Sequence, residues 1–66
     1  MAKITFKFRD NNGKLHTRTA KCTSCKYAWE TQYGVRRFVV RDYFTNAVVS
    51  KFDTKNWSFV SAEVEA

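Results

Sequence analysis

The chain contains no proline, two glycines, one histidine and two cysteines in 66 residues. With so little glycine and no proline, no linker, repeat or low-complexity tract is visible. No uninterrupted apolar run exceeds three residues, as in Phe38-Val39-Val40, so no membrane span is expected. No apolar block follows Met1-Ala2-Lys3 either, so a secretory leader is not expected and the cytoplasm is the expected compartment. Acidic residues are scarce: 6 Asp+Glu stand against 12 Lys+Arg, a formal charge of +6. That excess does not make a disordered polycation. Residues of the hydrophobic set make up 44% of the chain and aromatics 17%, enough to drive a packed core.

What is present fits a single small domain over residues 1–66. A domain of this size buries only about 60% of its unfolded surface, so it leans on large core residues or some other aid. Six Phe, three Tyr and two Trp supply those residues. Sixty-six residues seldom enclose a catalytic pocket, and no Ser-His-Asp set or carboxylate pair can be assembled around the lone His16. His16 is expected to be an exposed strand residue. A non-enzymatic protein without a cofactor is the expectation.

Residues 3–9 alternate Ile4, Phe6 and Phe8 with Lys3, Thr5, Lys7 and Arg9, the period-2 pattern of a strand. Asp10-Asn11-Asn12-Gly13 is a hairpin signal, and residues 14–21 return as a second strand. Two registers compete. A two-residue Asn12-Gly13 turn pairs Phe8 with Thr17 and keeps Arg18 off the Phe face. A three-residue loop with Gly13 in a bulge pairs Phe8 with His16 and puts Arg18 on that face. The first is preferred, because it keeps a charge out of the core.

Residues 23–33 are read as the only helix. Thr23 or Ser24 caps it, Gly34 ends it, and Cys25, Ala28, Trp29 and Gln32 form its inner stripe. Lys26 and Glu30, four apart, make a weak pair on its surface. Residues 35–44 and 47–53 form a second hairpin. With a three-residue loop, Phe38, Val40, Phe44, Val48 and Phe52 share its inner side. Residues 57–64 form a fifth strand, and the last three residues are expected to fray. The predicted architecture is α+β, order ββαβββ, an antiparallel sheet with one helix packed on one face. The order ββαββ also occurs in β-grasp-like arrangements, and no family follows from it.

In these registers one exposed sheet face collects Lys3, Lys7, Arg9, Arg18, Arg37, Arg41 and Lys51. Asp53 is its only acid, and Tyr43 and His16 interleave with the cations. Phosphates favour such a surface because bound Lys and Arg release condensed counterions, and aromatic rings on sheets stack on bases. The leading expectation is therefore DNA or RNA binding through Lys7, Arg9, Arg18, Arg37, Arg41, Tyr43 and Lys51. An ordinary solvated sheet face has the same composition. The competing expectation is a protein-interaction module or small inhibitor that docks on an acidic surface of a larger protein. A homodimer through a strand edge is open to either.

Cys22-Thr23-Ser24-Cys25 is half of a zinc site, and tetrahedral zinc needs four ligands. Without a second half, Cys22 and Cys25 are only a weak metal candidate. They are read as reduced structural thiols. Trp29, Phe6, Phe8, Phe38, Phe44 and Phe52 are the expected aromatic core.

Overall fold

A computed structural model describes residues 2–54 and 56–65. It contains six strands: β1 (Lys3–Arg9), β2 (Leu15–Lys21), β3 (Cys25–Gln32), β4 (Val35–Asp42), β5 (Val48–Phe52) and β6 (Ser58–Glu65). They form two antiparallel three-stranded sheets, ordered β2-β1-β6 and β3-β4-β5. The two sheets face each other across a shared layer of rings. Among the described residues there is no helix, so none is long and apolar enough to cross a membrane.

The helix expected over residues 23–33, and with it the α+β class, is overturned by β3. The helical stripe would have offered Ala28 and Trp29 to the core. The strand instead points Tyr27 and Trp29 the same way, because alternate residues share a face. Tyr27 meets Phe6 at 5.1 Å and Trp29 meets Phe8 at 6.0 Å between ring centroids. Tyr, Trp and Thr also favour strands. Gly34 serves a hairpin and not a helix end: Tyr33 (φ 54°) and Gly34 (φ 75°) form a two-residue turn between the paired residues Gln32 and Val35. Two positive φ values give a turn whose twist matches the strands it joins.

The first hairpin takes the register that was not preferred. Phe8 pairs with His16 and Phe6 with Arg18, and Gly13 adopts φ 83° in the loop. The Asp10 carboxylate accepts hydrogen bonds from the backbone N–H groups of Asn12 and Lys14, both at 2.9 Å, which fixes this longer loop. Arg18 therefore does share the Phe face. It avoids burial because β2 is an edge strand. Its guanidinium lies 5.1 Å from the Trp57 ring centroid and donates to the Thr17 carbonyl. A cation over an indole face is a stable resting place.

The second hairpin also differs. Its loop holds four residues, 43–46, between Asp42 and Ala47, whose backbones are joined by a 2.8 Å bond. Asp42 accepts from the N–H groups of Phe44 and Thr45. Phe44, expected in the core, sits in this loop and is 81% exposed. Two bulges shift the pattern further. Pairing slips between Val40 and Arg41 on the β5 side, and between Lys7 and Phe8 on the β6 side. The second slip brings Phe59, Ala62 and Val64 onto one face, opposite Phe8, Phe6 and Ile4. Val64 and Glu65, where fraying was expected, pair with Ile4 and Lys3, and Ala66 lies outside the described residues.

The core is Ile4, Phe6, Phe8, Ala20, Phe38 and Val40, with Trp29, Phe52, Trp57 and Ala62 packed against it. Phe38 is the hub. Its ring lies 5.2 Å from Phe6, 5.0 Å from Phe8, 5.1 Å from Trp29 and 5.5 Å from Phe59. Burying one such side chain contributes about 1.5–3 kcal/mol, and edge-to-face pairs add about 0.5–1.5 kcal/mol each. Between β5 and β6, the Thr54 side chain is fully buried and its hydroxyl has no hydrogen-bond partner among the described residues.

Cys22 and Cys25 are joined in a disulfide, with Cα atoms 6.1 Å apart, and not held as the reduced thiols expected. The bridge spans the short link between β2 and β3. It also takes both thiolates away from the weak metal candidate.

Candidate functional site

The alternation that builds the core decides where the charges go. Phe6 and Phe8 point at the second sheet, so Lys3, Lys7 and Arg9 point away from it. Phe38 and Val40 point at the first sheet, so Arg37, Val39 and Arg41 point the opposite way. The seven cations expected on one face are thus divided. Lys3, Lys7 and Arg9 lie on the outer face of the first sheet. Arg37, Arg41 and Lys51 lie on the outer face of the second. Arg18 belongs to neither, being held against Trp57.

The two outer faces are not equivalent. On the first sheet, Lys3 lies opposite Glu65 and Thr5 opposite Glu63, so β6 supplies neutralising acids. Arg9 is spent within its own hairpin, donating to the Gly13 carbonyl at 2.8 Å. On the second sheet, Lys26, Arg37, Arg41 and Lys51 share a face with Glu30, which lies directly across from Arg37, and Asp53, just past β5, lines a shallow hollow with Arg37. Glu30 is fully engaged. Arg41 grips it with two hydrogen bonds of 2.8 Å, from Nε to Oε2 and from Nη2 to Oε1. Arg41 holds the Glu30 carboxyl below the usual carboxylate range, and Glu30 in turn raises the Arg41 guanidinium further above its ordinary value.

This face is also concave. A groove of about 330 Å³ runs over β4, with Val35, Val39 and Val48 along it and Arg37 and Lys51 on its walls. Val39 is buried at 4% exposure despite facing outward, because the long side chains around it cover it. Lys51 lies directly across from Val39, and Arg37 is the diagonal neighbour. Such diagonal positions are about 7–8 Å apart, and Glu30 faces Arg37 directly from β3. Among the described residues neither Arg37 nor Lys51 forms an ion pair; the only two pairs are Arg41–Glu30 and His16–Asp10.

No protein-family model matches this chain, and neither curated proteins nor solved structures yield a similar protein. Chemistry alone therefore has to define the site.

Arg41 links the groove to the loop beyond β4. Its Nη1 donates to the Asn46 carbonyl at 3.0 Å. That loop presents Tyr43, 60% exposed, with its ring edge-on to Phe44 at 5.4 Å. Tyr43 does not interleave with the cations on the sheet, as the sequence suggested, but sits in the loop between β4 and β5. The thiolate-free Cys22–Cys25 bridge offers no ligand, and no group of three or more His, Cys, Asp or Glu gathers among the described residues.

A second polar cluster lies at the far end of β1. His16 Nε2 lies 2.8 Å from Asp10 Oδ2, and its ring stacks on Trp57 at 4.0 Å. His16 is thus half-buried and not the exposed strand residue expected. The His16 contact, with the Lys14 and Asn12 N–H groups, holds the Asp10 carboxyl below the usual range. Its geometry closes the hairpin loop.

Sequence reasoning missed Lys26 and Glu30 as members of the site because it placed them on a helix. It missed Val35 and Val48 as the apolar parts of the groove. The available signal was their alternation: Lys26, Ala28, Glu30 and Gln32 form the polar half of a period-2 pattern.

Proposed function

We propose that this chain is a small non-enzymatic nucleic-acid-binding protein that seats phosphates of a single strand in the groove over β4. The observation that supports this most is the juxtaposition of Arg37 and Lys51, neither held in an ion pair among the described residues, across the apolar floor at Val39. Arg41, braced by Glu30, closes one end, and Tyr43 and Phe44 offer rings on which a base can stack. Charge along a groove with aromatic platforms beside it is how strands are held without strong sequence preference. Lys7, Arg9 and Arg18, expected to share in the contact, are left out of this groove. They add to the long-range attraction of a +6 chain.

We place the protein in the cytoplasm, where glutathione and thioredoxin keep most disulfides open. The Cys22–Cys25 loop is short, so opening it removes only a small constraint on the unfolded chain. No cofactor enters this reading.

The test is anisotropy of labelled single- and double-stranded DNA and RNA at three salt concentrations. Binding to single strands should weaken with salt by a slope of about −0.7 per phosphate contact. Absence of binding at low salt, where electrostatics are strongest, overturns the reading and favours an acidic protein as the partner. Hairpin tips that carry exposed rings, Tyr33 at 93% and Phe44 at 81%, suit such a partner.

A further inference from the structure

We propose that the open edge of β3 pairs with β3 of a second copy of this chain, antiparallel and centred on Ala28. The argument starts from the backbone. Just beyond the β3–β4 ladder, the Tyr43 N–H bonds the Ser24 carbonyl at 3.0 Å, and at the other end Gln32 and Val35 flank the two-residue turn. Backbone groups of an antiparallel strand alternate in direction. Residues 24, 26, 28, 30 and 32 therefore address β4, and Cys25, Tyr27, Trp29 and Thr31 address the open edge. Among the described residues, no backbone bond outside the ladder with β4 reaches any residue of β3.

A two-fold axis at Ala28 sets Tyr27 opposite Trp29 of the second copy and Cys25 opposite Thr31. These are the residues whose N–H and C=O groups point outward, so the pairing satisfies them as closely spaced hydrogen-bonded pairs. The same axis sets Lys26 opposite Glu30 of the second copy, twice, on the outer face. Opposite charges at directly facing positions favour the pair, and like charges disfavour it. Glu30 already has Arg41 beside it, so the added Lys26 completes a three-member charge cluster.

The other edges do not offer this match. β6 carries Glu63 and Glu65 on its outer face with no cation, β2 carries Lys21 with no acid, and β5 is only five residues long. The open side of the sandwich at β3 and β6 also leaves rings uncovered. Tyr27 is 43% exposed and Phe59 40%, and their rings stack on each other at 6.1 Å. Pairing at β3 brings the second copy's matching rings against them. The inference does not rest on the groove binding an anion. It does place the two grooves side by side on one continuous sheet, three strands from each copy.

The test is sedimentation equilibrium of the full chain. An edge contact of this size belongs to the weak, transient class of interface, so the run extends to about 0.5 mM. The mass should rise from 7.7 kDa toward twice that value. Lys26→Glu alone and Glu30→Lys alone should each weaken dimerisation roughly tenfold, because both cross-strand pairs turn repulsive. An equimolar mixture of the two variants should regain the dimer, since each then meets its opposite charge. That recovery also excludes misfolding as the cause of the losses. A wild-type chain that stays at 7.7 kDa overturns the proposal. So does a dimer that neither charge reversal weakens, or variants that fail to recover on mixing.

Discussion

Tyr33→Asn gives opposite signs for the strand and for the helix that the same residues resemble. Tyr33 holds φ 54° at the first position of the β3–β4 turn and is 93% exposed, so its ring packs against little. Left-handed backbone costs a residue with an ordinary side chain about 1–2 kcal/mol, and Asn tolerates it better. Asparagine before Gly34 makes the Asn-Gly pair favoured in this turn. Recovering roughly half of the strain adds about 0.5–1 kcal/mol, which in a domain of this size raises Tm by about 3–6 °C. Thermal unfolding followed by circular dichroism reads the shift. Were residues 23–33 helical, Asn would replace a better-packed ring in the last turn at no conformational gain. A fall in Tm refutes the turn geometry and the strand with it.

Thr54→Val should raise stability by about 1 kcal/mol, because it replaces a buried hydroxyl that lacks a partner with a methyl of similar size. Urea unfolding measures it, and a loss of stability would mean that the hydroxyl is satisfied. The carboxyls of Asp10, Glu30 and Asp42 are all more acidic in the folded chain than in the unfolded one. His16 lowers the first, Arg41 the second, and the N–H groups of Thr45 and Phe44 the third. Their stabilisation is therefore complete above about pH 4.5 and is lost as pH falls through their lowered values. Tm should decline from pH 4.5 to pH 2, less steeply in Asp42→Asn, and a flat wild-type profile contradicts these contacts.

Five of the six strands are legible from alternation or from the turn signals that join them, and the ends of β1 and β2 can be placed to within a residue. β3 was not. Cys25, Ala28 and Trp29 satisfy a helical stripe, while Tyr27, Trp29 and Thr31 satisfy a strand, over the same short segment. Local pattern cannot choose between them; the choice is made by Phe6 and Phe8, which need two rings from this segment and not one. The first hairpin's register was misjudged for a related reason. Keeping Arg18 off the Phe face assumed that the face is sealed, whereas an edge strand lets the guanidinium rest on Trp57. The bulge that brings Ala62 and Val64 onto the face of Phe59 leaves no mark in the sequence.

The face that carries the candidate site was legible in part. Arg37, Arg41 and Lys51 share one sheet face because they lie in one hairpin. Lys3, Lys7 and Arg9 were added to them by assuming a single sheet. Two sheets packed through Phe6, Phe8 and Phe38 turn those residues to opposite sides of the molecule.

The most direct test of the groove compares two double variants with the wild type in single-strand binding. Arg37→Ala with Lys51→Ala removes the cations of the groove. Lys3→Ala with Lys7→Ala removes the same charge from the other face. The account predicts that the first pair weakens binding at least tenfold and flattens the salt slope by about 1.4, two contacts' worth, while the second leaves the slope unchanged. Equal losses from both pairs would mean that net charge alone drives association and that the groove over β4 is not the site.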